Sequence, residues 1–163
     1  WVDYIARELG RGLGSGSAYW LLLGIGGVVG PAAAGGTAAR LGFRPALIAA
    51  FVLMTAATAL PLASTQPWAL TLSSLFVGAM VPAIITLTAG VVVDLAPMGR
   101  QQQIWGWATL SFAATQAVGG FVMARLYAQI GRYIDLIGMG AAILVIGCAC
   151  AIAGAVAGAR ASR

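Results

Sequence analysis

Residues 68–93 read WALTLSSLFVGAMVPAIITLTAGVVV, with no charged side chain from end to end. At 1.5 Å per residue a helix of this length reaches about 39 Å, more than the roughly 30 Å of bilayer hydrocarbon it has to cross. The surrounding chain has the same character. It is 61% hydrophobic and 8% charged, with a mean hydropathy of +0.95. A soluble domain carries roughly 25% charged residues, because its surface must face water. A chain so poor in charge presents its exterior to lipid, and the fold class expected is an all-α, polytopic membrane helix bundle.

Working outward from 68–93, further apolar runs cover 17–39 and 45–63 before it and 103–127 and 134–159 after it, giving about five transmembrane helices. Tyr19, Trp20, Trp68, Trp105, Trp107, Tyr127 and Tyr133 mark span ends, where amphipathic rings settle at the lipid–water boundary. Residues 1–16 mix Trp1, Asp3, Tyr4, Arg7, Glu8 and Arg11 with Gly10, Gly12, Gly14 and Gly16. They read as the end of a truncated preceding span followed by a flexible extracytoplasmic connector. The chain opens on Trp1 without a basic, signal-like leader, as expected of a cut from a longer protein. Residues 17–163 then form the bundle.

All nine basic residues are arginine, and they sit between or beside the apolar runs. That dispersal suits topology-setting loop charges rather than a nucleic-acid surface, and no nucleic-acid partner is expected. Arg40, Arg44, Arg100, Arg160 and Arg163 fall on one side by parity; Arg7, Arg11, Arg125 and Arg132 fall on the other. The excess of arginine places the first group, and the C-terminus, in the cytoplasm; the expected location is a bacterial inner membrane. There is no His, which removes the common metal ligand and neutral-pH proton carrier. Cys148 and Cys150 point in different directions on a helix, so neither a disulfide nor a metal site is expected. The four acidic residues lie at span ends or connectors, leaving no agents for intramembrane catalysis. Neither an enzyme nor a cofactor is expected.

The reversal from Gly35 to Pro45, GGTAARLGFRP, carries the clearest motif. Gly42 permits a positive φ, Pro45 suits a first helical turn, and Arg40 and Arg44 hold the polar edge. Gly35, Arg40, Gly42 and Arg44 resemble the loop motif of the major facilitator superfamily between the second and third helices of each half. Ala39 stands where that family often has Asp. The run Asp94-Leu-Ala-Pro-Met-Gly-Arg100 is similar to the family's connection between the fourth and fifth helices. The resemblance implies that Asp94 lies near Arg40, joining the loops on the cytoplasmic face. Phe112–Gly120, FAATQAVGG, resembles the eleventh-helix signature of the YbfB/YjiJ branch, with Thr115 and Gly120 replacing its Gly and Pro. The degenerate loop copy is similar to those of C-terminal halves. The resemblance therefore implies five helices of a six-helix half of a secondary transporter. Its partners would be the bilayer, the N-terminal half and a small solute, and any coupling residue would belong to the other half.

Trp105, Thr109 and Gln116 share one helical stripe. An amide in hydrocarbon needs a partner or a wet cavity, so Gln116 reads either as a substrate-pathway residue or as interhelical polar glue. In the third span Pro82 and Thr86 share a face. Pro82 frees a carbonyl and can act as a hinge, while Thr86 lines the pathway or bonds back to its own helix. Gly26 and Gly30 have the spacing of close helix packing; with no strand and no Lys, a phosphate loop is excluded. A non-transporting scaffold or assembly protein accounts for the glycine faces equally well, but not for the spaced loop motifs. The two readings part upstream of Trp1 in the parent gene. Transport predicts six or seven further spans with a fuller copy of the Gly35–Arg44 motif there, and their absence supports the scaffold.

Overall fold

The computed structural model describes residues 1–161; Arg163, assigned above to the cytoplasmic side, lies outside them. A short π-helical segment, Tyr4–Glu8, precedes five long helices: α1 (Gly12–Leu41), α2 (Phe43–Ala63), α3 (Pro67–Leu95), α4 (Gln101–Ile130) and α5 (Tyr133–Ala161). Among the described residues there is no strand, as hydrocarbon requires of a spanning chain that closes no barrel. Four helices, α1, α2, α3 and α5, are long and apolar enough to cross a membrane. α4, at 30 residues, matches them in length but is diluted by glutamine, threonine and tryptophan.

Local chemistry explains the breaks. Gly42 has φ +86°, a conformation L side chains rarely adopt, and it serves both helices it separates. Its N–H donates to Ala38 O at 2.8 Å, closing α1, and its carbonyl accepts from Ala46 N at 3.3 Å, opening α2. Pro67 starts α3, where its missing donor costs nothing. Gly131, at φ +72°, ends α4 by donating to Tyr127 O at 2.8 Å. The first helix begins at Gly12, earlier than the Ser17 start expected of the first span. Gly14 and Gly16 are therefore helical rather than part of a flexible connector. Gly16 has a reason to be there: a Cβ on it would sit 2.9 Å from Val2 O, so its absence admits the N-terminal segment.

α1 and α3 run parallel and touch backbone to backbone. A Cβ on Gly26 would strike Leu75 O, one on Gly30 would strike Ala79 O, and one on Gly78 would strike Leu23 O. The Gly26–Gly30 spacing is thus a packing face, as expected. α2 lies antiparallel in the groove of this pair, where Ala34, Ala38, Ala46, Ala50, Ala83 and Leu87 form a buried core of mostly single-methyl side chains. Phe43 closes that core by laying its ring on Gly90. α5 packs antiparallel against α2, with Phe51 on Gly147 and Arg44 on Gly158. α4 buries no residue.

The alternation puts Arg40, Arg44 and Arg100 at one end of the bundle (the Gly42 end). Arg7, Arg11, Arg125 and Arg132 lie toward the other (the Trp1 end). Overpacking a close-packed contact costs about 1–3 kcal/mol, so Gly30→Val in the full-length protein is expected to lower its melting temperature in mild detergent by several degrees. A Cβ at Gly35 meets open space, and Gly35→Ala is expected to leave the melt unchanged or raise it slightly.

Candidate functional site

At the Gly42 end, most of the loop residues expected to act together stand exposed. Gly35 and Arg40 are exposed, as are Asp94 and Arg100. Arg44 is half-buried, and its guanidinium lies against Gly158 near the C-terminal end of α5, where helix carbonyls favour a cation. Among the described residues the ion pairs are Arg7–Asp3 at 3.3 Å and Arg132–Asp135 at 3.6 Å, both at the Trp1 end. Asp94 and Arg40 are not among these pairs. Both stand exposed at helix ends, where pairing gains little against solvation. The Asp94–Arg100 connector is held instead by Gln101, whose Nε2 donates to Val93 O at 3.3 Å.

Pro82 lies inside α3 and leaves the Gly78 carbonyl without its usual i+4 donor. That carbonyl faces α1: a Cβ on Gly27 would sit 3.6 Å from it. The proline thus frees a carbonyl on the face of α3 that meets α1. One turn on, Thr86 Oγ1 donates to Pro82 O at 3.0 Å, the local bond available to any helical threonine.

On α4, Thr109 Oγ1 likewise donates to Trp105 O at 2.9 Å. Thr109 and Gln116 are exposed and Trp105 is half-buried. Two interactions tie the ends of α4 to its neighbours: Gln101 on Val93 O, and Tyr127 stacked on Tyr133 at 4.0 Å. The helix that carries the Trp105–Thr109–Gln116 stripe buries no residue, and Thr109 and Gln116 present a mixed polar face. A groove of about 420 Å³ runs among α1, α2 and α3 between Gly26 and Leu87. Its walls are glycine, alanine and larger apolar side chains, with Thr37 the one polar residue among them. Such a lining offers dispersion contacts and no means of orienting a polar solute.

Reading for polar composition missed the Trp1 end. Tyr4 and Ile5, in the stretch assigned to a span end and connector, are 1% and 0% exposed and pack with Leu70. The signal was present in the spacing: Trp1, Tyr4, Ile5 and Leu9 share a helical face. The charges of the same stretch turn outward and clamp its neighbours. Glu8 accepts from the backbone N–H groups of Tyr133 and of Ile134, the latter at 3.2 Å. It thereby caps α5 from a segment 125 residues away. Tyr133 Oη donates to Asp3 at 3.3 Å, and Arg11 donates to Thr65 O. Metal-ligating clusters are absent among the described residues.

With this geometry in view, comparison with known proteins is specific in one respect. The family model described as "uncharacterised MFS-type transporter YbfB" matches residues 1–152. No curated protein and no solved structure matches the chain. Because Asp94 and Arg40 are unpaired, a double-mutant cycle of Arg40→Gln and Asp94→Asn on the stability of the full-length protein is expected to show coupling below about 0.3 kcal/mol. A larger coupling would mean that the two loops do join.

Proposed function

Because the chain belongs to the YbfB family of MFS-type transporters, we propose that it is part of a secondary active transporter moving a small solute by alternating access. The chain is an integral membrane protein built for transport. What supports the finer reading is the contrast between α4 and the rest. α1, α2, α3 and α5 lock together through glycine and alanine contacts, while α4 buries nothing and carries Trp105, Thr109 and Gln116 along one stripe. Rocking of one rigid half against another about a midplane site needs both a body that moves as a unit and a polar surface facing the passage.

In this reading the N-terminal half of the same transporter covers the outer face of α4. Trp105, Thr109, Gln116 and, from α3, Thr86 line the pathway. Pro82 supplies a bend, and the Gly35, Arg40, Gly42, Arg44, Asp94 and Arg100 loops lie on the cytoplasmic side with the C-terminus. The membrane is the bacterial inner membrane. Aromatic and amide groups select a neutral or weakly polar solute by stacking and hydrogen bonding rather than by charge. A scaffold role would explain the glycine contacts but not the family match.

Uptake assays on the full-length protein with a panel of neutral, anionic and cationic solutes test this reading. Gln116→Ala is expected to reduce transport of the accepted solute about tenfold or more, the loss of one or two hydrogen bonds to a bound solute, with surface abundance unchanged. Equal uptake by wild type and Gln116→Ala across every accepted solute would reduce Gln116 to packing.

A further inference from the structure

The groove of about 420 Å³ among α1, α2 and α3 is open along one side. Ala34 and Ala83 in its floor are buried, whereas Val29 and Ala33 of α1 and Ala49 and Leu53 of α2 stand exposed along its two rims. The one polar residue in its lining, Thr37, donates its hydroxyl to Ala33 O at 2.8 Å, so the groove asks nothing polar of an occupant. Toward the Gly42 end it runs on into a shallow depression on α1, which shares Ala33 and Thr37 with it and ends on Arg40 and Leu41. Arg40 is exposed and belongs to neither ion pair of the described residues, both of which lie at the Trp1 end. Its end of the bundle carries Arg40, Arg44 and Arg100 against Asp94 among the described residues.

The dimensions of the groove fit the bilayer around it. Gly26 lies near the middle of α1 (Gly12–Leu41), and from there to Thr37 the helix rises about 16 Å at about 1.5 Å per residue. One leaflet is half of a hydrocarbon core of roughly 30 Å, or about 15 Å. The apolar slot therefore has the depth of one leaflet, and Arg40, a turn beyond Thr37, stands at headgroup level. A slot of this depth ending on a cation without a carboxylate partner is complementary to an acyl chain beneath an anionic headgroup. We propose that the groove binds an anionic phospholipid of the leaflet at the Gly42 end, with one acyl chain between α1 and α2 and the phosphate on Arg40. The guanidinium fork matches phosphate oxygens in a two-bond geometry, and the chain supplies dispersion contacts to rims that their own small side chains leave open. A zwitterionic lipid offers the same chain but brings its own cation to compete with Arg40. The site is separate from the proposed solute pathway, since Trp105, Thr109, Gln116 and Thr86 do not line it.

The test titrates the full-length protein in mild detergent with dioleoyl phosphatidylglycerol, dioleoyl phosphatidylcholine or glycerol phosphate, and follows its melting temperature. Phosphatidylglycerol is expected to raise the melt by several degrees, phosphatidylcholine to need about tenfold more lipid for the same rise, and glycerol phosphate, which has no chain, to do nothing. Arg40→Gln lowers the affinity for phosphatidylglycerol about tenfold, to that for phosphatidylcholine, through loss of the charge-assisted pair. Ala33→Leu, which fills the slot from an exposed rim, leaves the lipid-free melt nearly unchanged and abolishes the response to both lipids. Phosphatidylglycerol with a nitroxide midway along its chain, added at equimolar ratio, broadens the methyl signals of Leu53 more than those of Leu110, which is exposed on α4. Equal stabilisation by the two phospholipids, or an Arg40→Gln response equal to that of wild type, overturns the proposal. So does Leu53 broadened no more than Leu110, the result expected if other parts of the full-length protein cover the groove.

Discussion

The contact on which the rest of the bundle depends is the approach of the α1 backbone to that of α3, at positions where any side chain would collide with a carbonyl. Inside a bilayer, helices gain nothing from the hydrophobic effect when they meet, because lipid tails are as apolar as their own side chains. Close approach is what remains, since dispersion falls steeply with distance and Cα–H···O contacts form only when backbones nearly touch. Gly26 and Gly30 on α1 and Gly78 on α3 permit that approach. Pro82 leaves the Gly78 carbonyl, which faces α1, without its helical donor. The other helices are placed relative to this pair. α2 fills the groove with alanines 46 and 50 and the Phe43 ring; it then carries α5 through Phe51 on Gly147 and Arg44 on Gly158.

α4 falls outside this scheme for a reason written in its composition. Gly106, Gly119 and Gly120 all face open space, so its small residues meet no partner in the cluster. Its larger ones, Trp107, Phe112, Val118 and Phe121, are exposed. A helix that is less apolar than its neighbours and yet buries no residue against them is poorly matched to lipid on every side. Its glutamine and threonines ask for protein or water, while its aromatic side chains offer surface to whatever covers it. This asymmetry, four helices packed on each other and one that buries no residue, is what supports the proposal that the α4 stripe faces the solute.

Four of the five expected membrane spans were legible because their signal is local: apolar length, terminal aromatics, and the glycine punctuation at Gly42. The Gly26–Gly30 face was legible for the same reason, since its spacing is its mechanism. The N-terminal segment was not. Asp3, Arg7 and Glu8 dominate its composition and hide the Trp1, Tyr4, Ile5, Leu9 face that buries it. Pairings across long separations were the least legible. Nothing near Glu8 in the chain announces that it caps a helix beginning at Tyr133, and nothing near Arg44 announces Gly158. The same uncertainty explains the unmade Asp94–Arg40 pair, because exposed charges at helix ends have many alternatives of nearly equal energy. For the candidate site, residue types were readable but neighbourhoods were not: Thr86 and Thr109 were picked out by polarity, and each hydroxyl is engaged within its own helix.

That last distinction separates the polar residues of the spans into two kinds. A threonine hydroxyl can satisfy itself on the carbonyl one turn back, as Thr37, Thr55, Thr71, Thr86, Thr88 and Thr109 do, and its presence then requires nothing of its surroundings. The remaining polar groups need a partner outside their own helix. Thr58 and Ser73 are of that kind by observation, since their oxygens are buried and unengaged. Gln116 is of that kind by chemistry: a primary amide carries two donor hydrogens and a two-lone-pair acceptor, and a single helix has no free backbone groups in its interior to answer them. Of the four pathway candidates, Gln116 is therefore the one whose presence in a membrane-spanning chain is not explained by its own helix. Trp105 can meet its needs at an interface and the two threonines meet theirs locally. Among the pathway candidates, the polarity left for function or a partner to account for is that of Gln116, on the helix that buries no residue.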